Sequence, residues 1–389
     1  MYYVDKQYSK NSSGARFFGS IENSLKKFPE YSEDKYKKVL INISSPLKRF
    51  FLYKLFNKKI IVRVDGNYAY PVTKGSLNAS NKLIALTYKI VSKVKILRPT
   101  LKSLSKKSYV NFIFNLQYNF SNYLKIFLSD LIVYQSSFSR DCHKDIFFNK
   151  KYKIIQNSSP WKFKDLPLIK YGNKKNVHKK KSIKLCTAFH NGRPMKGFGD
   201  LLLNLEEIKN TQDVIKIYLL IFGYIPNCFI KTHTKKEINF DEFLNKNKDW
   251  VSISPTYKNY TKKLSKNLIS CDAYIHYAQL DPCPNLVLEA LSHGLPIIGC
   301  NSGGVPDIVK NCGEILAVEN PKNFTYQNFN FEYGLKPPKK EELFNAILKI
   351  KKNYKLYSKN ISNNLKKTFL RENSVSSYYK LLKNLTFNN

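Results

Sequence analysis

Apolar runs of strand length recur from one end of the chain to the other, and the stretches between them carry helical periodicity. A first set of runs covers Tyr2–Val4, Val39–Ile43, Ile60–Val64, Leu131–Gln135 and Tyr152–Ile155. A second covers Ile183–Phe189, Ile215–Phe222, Trp250–Ile253, Ala273–Tyr277, Pro296–Cys300 and Ile315–Val318. Between strands, Phe112, Ile113, Leu116, Phe120, Leu124 and Phe127 return every three or four positions, which predicts one face of a helix. The strands are apolar throughout rather than alternating, so both of their faces need cover. Strands of that kind, separated by helices, predict parallel sheets in an α/β fold. Short loops such as Gly192 to Gly197 join strand to helix. The expected architecture is two doubly wound, Rossmann-like domains facing each other across a cleft, with ligand at the carboxyl ends of the strands.

One stretch breaks the rhythm. Tyr171 to Ser182 is polar, basic and nearly free of apolar residues, and reads as an exposed linker. The chain therefore divides into a first domain over 1–172, a linker over 173–182 and a second domain over 183–350. Residues 351–389 are expected to be helical and to pack back on the first domain. At 389 residues the chain is long enough for two cores, and no solenoid repeat is present.

Charge alters the picture less than its size suggests. Sixty-six Lys+Arg against 28 Asp+Glu give a formal net charge of +38. Lysine, asparagine, isoleucine, phenylalanine and tyrosine are abundant in every region, so most of the excess reads as compositional drift on a solvated surface. No helix-turn-helix, zinc-finger or aromatic RNA-platform pattern supports a nucleic-acid partner. Two stretches, Pro46 to Lys59 and Leu86 to Lys107, mix cations with bulky apolar groups and could rest on an anionic bilayer. The 7 cysteines form no C-x-x-C pair, which points to a reduced, cytoplasmic compartment, with peripheral contact on the inner face of a membrane as an extension. No leader-like opening and no apolar run of spanning length is seen. The histidines offer no metal-ligand spacing, and no metal or cofactor is expected.

The chemistry gathers in two places. Asp281 and Glu289 lie eight positions apart across a loop and the first turn of a helix, followed by Gly294, Pro296 and the Gly303-Gly304 turn. Two acids suit a ligand rich in hydroxyls. Backbone N–H groups at the helix start and in the glycine turn suit its phosphates. Arg193 and Lys196 emerge after the strand Ile183–Phe189, beside a helix start, where they can neutralise a departing diphosphate. Sugar and phosphate in one pocket mean a nucleotide sugar.

Arg193-x-x-Lys196-Gly197, Asp281-x7-Glu289-Ala-Leu-x-x-Gly294-x-Pro296 and Gly303-Gly304-x-Pro-Asp307 resemble the donor-binding half of glycosyltransferase family 4. The resemblance implies the GT-B fold and metal-independent sugar transfer with retention. It also implies roles. Arg193 and Lys196 would hold the donor pyrophosphate, Glu289 the ribose, and Asp281 the transferred sugar. Asn285, Leu286, Gly303 and Gly304 would line the donor site. Asp281 stands where the family carries a longer glutamate, and Pro282-Cys283-Pro284 replaces a glycine-containing loop. In the first half the resemblance is looser. Arg63-Val-Asp65-Gly66 is similar to a strand end of related transferases, which makes Arg63 and Asp65 acceptor-side candidates. Gln135-Ser-Ser-Phe-Ser139 resembles a segment facing the other domain. Gly14 resembles a glycine loop approaching the diphosphate. His143 is a weak candidate for the reaction centre and reads more readily as an exposed helical residue.

The function expected is transfer of a sugar from a UDP- or GDP-linked donor to a glycan or lipid-linked acceptor, with the nucleotide sugar as co-substrate. The alternatives are a non-catalytic, basic, peripheral membrane-binding protein and another GT-B enzyme such as a nucleotide-sugar epimerase.

Overall fold

The computed structural model describes residues 1–5, 13–64, 121–143, 150–159, 177–189, 196–254, 262–318 and 336–384. In the first half, β1 (Tyr2–Val4), β2 (Lys38–Asn42), β3 (Lys59–Val64), β4 (Leu131–Tyr134) and β5 (Tyr152–Ile154) pair in parallel and in sequence order. Period-two alternation sends β3 side chains to opposite cores. Ile61 joins one with Phe18 and Ile21 of α1 (Ser13–Leu25), and Ile60 and Val62 join the other with Phe50 and Tyr53 of α2 (Leu47–Leu55). The Gln135–Ser139 turn after β4 opens α3 (Ser137–Asp141), where Ser136 is the cap and its side chain accepts from the Ser139 N–H.

The second half holds six parallel strands: β6 (Ser182–Ala188), β7 (Lys216–Phe222), β10 (Val251–Ser254), β11 (Ala273–His276), β12 (Ile297–Cys300) and β13 (Gly313–Leu316). Their order is β10-β7-β6-β11-β12-β13. The chain moves outward from β6 to β7 and β10, then returns to the far side of β6 and moves outward again. The gap between the carboxyl ends of β6 and β11 is therefore the point where strand order reverses, the place where open α/β sheets take ligands. Helices α4 (Phe198–Thr211), α5 (Phe240–Lys246), α6 (Lys262–Ser270), α7 (Asn285–Ser292) and α8 (Val305–Val309) lie between the strands. A small antiparallel hairpin, β8 (Phe229–Lys231) with β9 (Glu237–Asn239), was not expected from the sequence.

Two features bear on the division of the chain. Within the basic stretch before β6, Lys179, Lys180 and Lys181 are exposed, but Val177 is fully buried in the core of the second half. One apolar residue thus pins a segment expected to be exposed. After α9 (Lys340–Lys352) and α10 (Tyr354–Asn364), the chain crosses back, and α11 (Arg371–Asn384) adds Val375, Tyr378 and Leu382 to the core of the first sheet. No helix among the described residues is long and apolar enough to cross a membrane, and all 7 cysteines are free thiols.

Candidate active site at the strand-order reversal

Lys196 and Asp281 meet at the reversal. Lys196 closes the loop after β6, and Asp281 lies in the loop after β11; the ammonium stands 4.0 Å from a carboxylate oxygen. The two loops are held together by backbone contacts that only glycine permits. At Gly197, φ is +61° and an added Cβ would lie 2.6 Å from the Tyr277 carbonyl oxygen, at the end of β11. At Gly303, φ is +68° and the Cβ would come within 2.3 Å of the Asp281 carbonyl oxygen. A side chain at either position would push the loop carrying Lys196 or Asp281 away. Ser302 Oγ accepts from the Leu280 N–H at 2.9 Å, and the Cys283 N–H donates to Asp281 Oδ1 at 3.2 Å, which fixes the acid in its turn.

Glu289 sits one turn into α7 and is 4% exposed. No side chain caps the start of α7, where Pro284 precedes Asn285, so the positive end of the helix faces the same loop as Asp281. Asp281 and Glu289 both raise the Tyr274 phenol further above its ordinary range, after burial as the main cause. Among the described residues, no group of His, Cys, Asp and Glu is placed to hold a metal ion.

His276, at the carboxyl end of β11, is a member of this corner that the sequence reading missed. It is 2% exposed, and burial, reinforced by the Lys196 charge, pushes its pKa down from 6.5 to about 3. The folded protein thus refuses a proton that the unfolded chain accepts. Its contribution is complete above about pH 6.5 and is lost as pH falls toward 3, at on the order of 1.4 kcal/mol per pH unit. The urea midpoint is expected to fall more steeply with acid in wild type than in His276→Gln. Parallel slopes between pH 6.5 and 4 would remove His276 as the cause.

The first half reaches this corner through polar contacts. The Asp307 carboxylate, in the first turn of α8, accepts from the Ser137 N–H at 2.8 Å and the Ser137 hydroxyl at 2.6 Å. Gln156 Nε2 donates to the Asp307 carbonyl at 3.2 Å, and Asn157 Nδ2 donates to Asn285 Oδ1 at 2.8 Å. Asn157 in turn accepts from Arg63 at 2.6 Å, and Arg63 donates to the Tyr378 hydroxyl at 2.6 Å. A chain of hydrogen bonds, buried as far as Asn157 and half-buried at Asn285, therefore runs from α11 through β3 to the first residue of α7.

Several expectations change on this geometry. Arg63, an acceptor-side candidate, has no exposed surface; its guanidinium lies 4.4 Å over the Phe17 ring and is spent on Tyr378 and Asn157. Gly14 lies in the first turn of α1 rather than in a loop. The Gly304 N–H, expected to be offered to phosphate, donates to the Asp281 carbonyl at 2.8 Å; a Cβ there would meet the Pro282 carbonyl oxygen at 2.0 Å. Asn285 uses its side chain on Asn157, and Leu286 packs half-buried on the second core. His143, read as exposed, is wholly buried, with Nδ1 2.7 Å from the Ser139 carbonyl and its ring stacked on Tyr134. Arg193 and Asp65 lie outside the described residues.

Residues 173–328, which contain this corner, match the family model described as glycosyl transferases group 1. Over that stretch the chain is similar to group 1 glycosyltransferases. It is a transferase, and its two parallel-sheet halves are those of the GT-B fold. Sucrose-phosphate synthase from Thermosynechococcus elongatus superposes with a TM-score of 0.55 at 13% identity, over 90% of this chain and 73% of that one. HepE of Anabaena, solved with UDP, gives 0.54 at 14% identity over 99% of both chains. WaaG, a glycosyltransferase involved in lipopolysaccharide biosynthesis, gives 0.52 at 12% identity over 98% of this chain and 99% of that one. At such identities the likeness is one of fold. No curated protein sequence matches the chain significantly.

Proposed function

We propose that the protein transfers a sugar from a nucleoside diphosphate sugar, UDP-linked in the first instance, to a glycan or lipid-linked acceptor, as a family 4 enzyme acting with retention and without a metal ion. The observation that carries this reading is the Lys196–Asp281 corner at the strand-order reversal, with Glu289 one turn into the adjoining helix. The solved HepE complex contains UDP, which favours a uridine donor here as the first to test.

On this reading Lys196, with Arg193 three positions earlier in the sequence, takes up the negative charge that grows on the diphosphate as the bond to the sugar breaks. The uncapped start of α7 adds the positive end of a helix dipole. These groups supply the charge that a divalent cation supplies in other transferases. Asp281 accepts from sugar hydroxyls, and Glu289, in a dry position, accepts from the ribose diol. Holding donor and acceptor in register while water is kept out supplies much of the remaining rate.

The test is thermal unfolding with UDP, GDP and ADP and their sugars, because a ligand bound only by the folded state raises stability by about 2.7 kcal/mol at one hundred times its Kd. UDP is expected to raise Tm, and to do so in EDTA. Proton NMR of the product is expected to show the anomeric configuration of the donor. Absence of a shift with any nucleotide would sink the reading.

A further inference from the structure

Helix α2 is apolar on two sides. Phe50 and Tyr53 are buried against the first sheet. On the opposite side Phe51, Leu52, Leu55 and Phe56 are 45%, 41%, 78% and 65% exposed. With the exposed Lys48 they fall at three- and four-residue spacing, so they form one stripe rather than a scatter. Phe127, 60% exposed on the neighbouring helical residues 121–128, lies beneath the Lys150 ammonium at 5.3 Å. Lys54 pairs with Asp130, two positions past that segment, at 2.9 Å. Single exposed apolar residues are ordinary on a protein surface; a helix that turns four large ones outward on adjoining turns marks an interaction surface.

The charge around this stripe selects the partner. Lys48, Arg49, Lys54, Lys58 and Lys59 lie on α2 or just after it in the chain, and Lys150 lies over Phe127. The acids nearby are Asp130, which pairs with Lys54 and Lys59, and Asp5, which is fully buried against Arg49. Among the described residues named here cations thus outnumber acids by six to two, and long lysine stems can reach past an apolar layer to phosphate while the rings sit deeper. A bulky apolar stripe edged by lysine suits the boundary between anionic headgroups and acyl chains.

We propose that the outer face of α2 docks on an anionic lipid bilayer. The surface belongs to the first half and is separate from the Lys196–Asp281 corner, so it stands or falls apart from the catalytic reading. A second copy of the chain or another part of the chain covering the stripe would show as a different outcome.

The full chain is floated with phosphatidylcholine vesicles with and without phosphatidylglycerol. Wild type is expected to float with the anionic vesicles at low salt and to be released by high salt. Phe51→Ser/Leu55→Ser/Phe56→Ser is expected to weaken that binding at least about tenfold, with Tm and the UDP-induced shift unchanged. Lys48→Glu/Lys58→Glu, which keeps the apolar stripe, is expected to abolish the preference for phosphatidylglycerol. Failure of wild type to float, or equal flotation of wild type and both variants, overturns the proposal. So does a dimer, seen by light scattering, that the serine variant dissolves while wild type ignores vesicles.

Discussion

Lys196→Ala is expected to lower kcat/KM for the nucleotide-sugar donor by about two orders of magnitude, the scale on which removal of one preorganised charge-stabilising group acts. Most of the loss should fall on kcat, because the diphosphate carries its largest extra charge only as it leaves. Stability should hardly change. The Lys196 and Asp281 side chains are 26% and 25% exposed and 4.0 Å apart, and pairs open to water are worth roughly 0–1 kcal/mol. The two readouts therefore separate: lost turnover with an unchanged Tm assigns Lys196 to chemistry, and unchanged turnover removes it. Lys196→Arg keeps the charge and should recover part of the rate. Loss of the ammonium also relieves His276, whose pKa should rise.

Arg63→Ala should behave in the opposite way, with a large loss of stability. The substitution empties a fully buried volume beneath Phe17 and leaves the Tyr378 hydroxyl and the Asn157 amide oxygen without their 2.6 Å donors. Stranding buried polar groups costs about 1–3 kcal/mol each, and the cavity adds to that. A loss of roughly 3 kcal/mol or more follows, which lowers Tm by about 6–12 °C for a domain of this size. Because Asn157 also holds Asn285, the start of α7 should loosen, and the UDP-induced shift should shrink beyond what stability alone explains. Asn157→Ala, which leaves Arg63 in place, isolates that second effect. An Arg63→Ala protein of normal Tm with a raised acceptor KM would return Arg63 to the acceptor side.

The strands were legible because burial on both faces writes uninterrupted apolar runs: Ile60–Val64 and Ala273–Tyr277 differ from β3 and β11 by a residue at one end. The β8–β9 hairpin was not, because each three-residue strand buries one side chain, Ile230 or Ile238, and leaves its neighbours in water or half-covered. Spacing along the sequence singled out Asp281, Glu289 and Lys196 as candidates, since all three lie within one or two turns of a loop at a strand end. Arg63 was misjudged for a related reason. A strand-terminal arginine looks open to solvent until a helix more than three hundred residues later, α11, closes over it. Ser137–Asp307 and Asn157–Asn285 join parts of the chain separated by 170 and 128 positions and leave no local pattern. A histidine at the end of an otherwise apolar strand was the one hint of His276.

The crossing of α11 has a consequence for how the molecule is made. Val375, Tyr378 and Leu382 complete the hydrophobic interior around β1, β2 and β3, yet they leave the ribosome after the whole donor half. At ~5–20 residues per second, the amino-terminal sheet waits on the order of ten seconds or longer for its last covering helix. During translation the half that emerges second closes first, and the nascent amino-terminal half is the one whose apolar surface stays open longest.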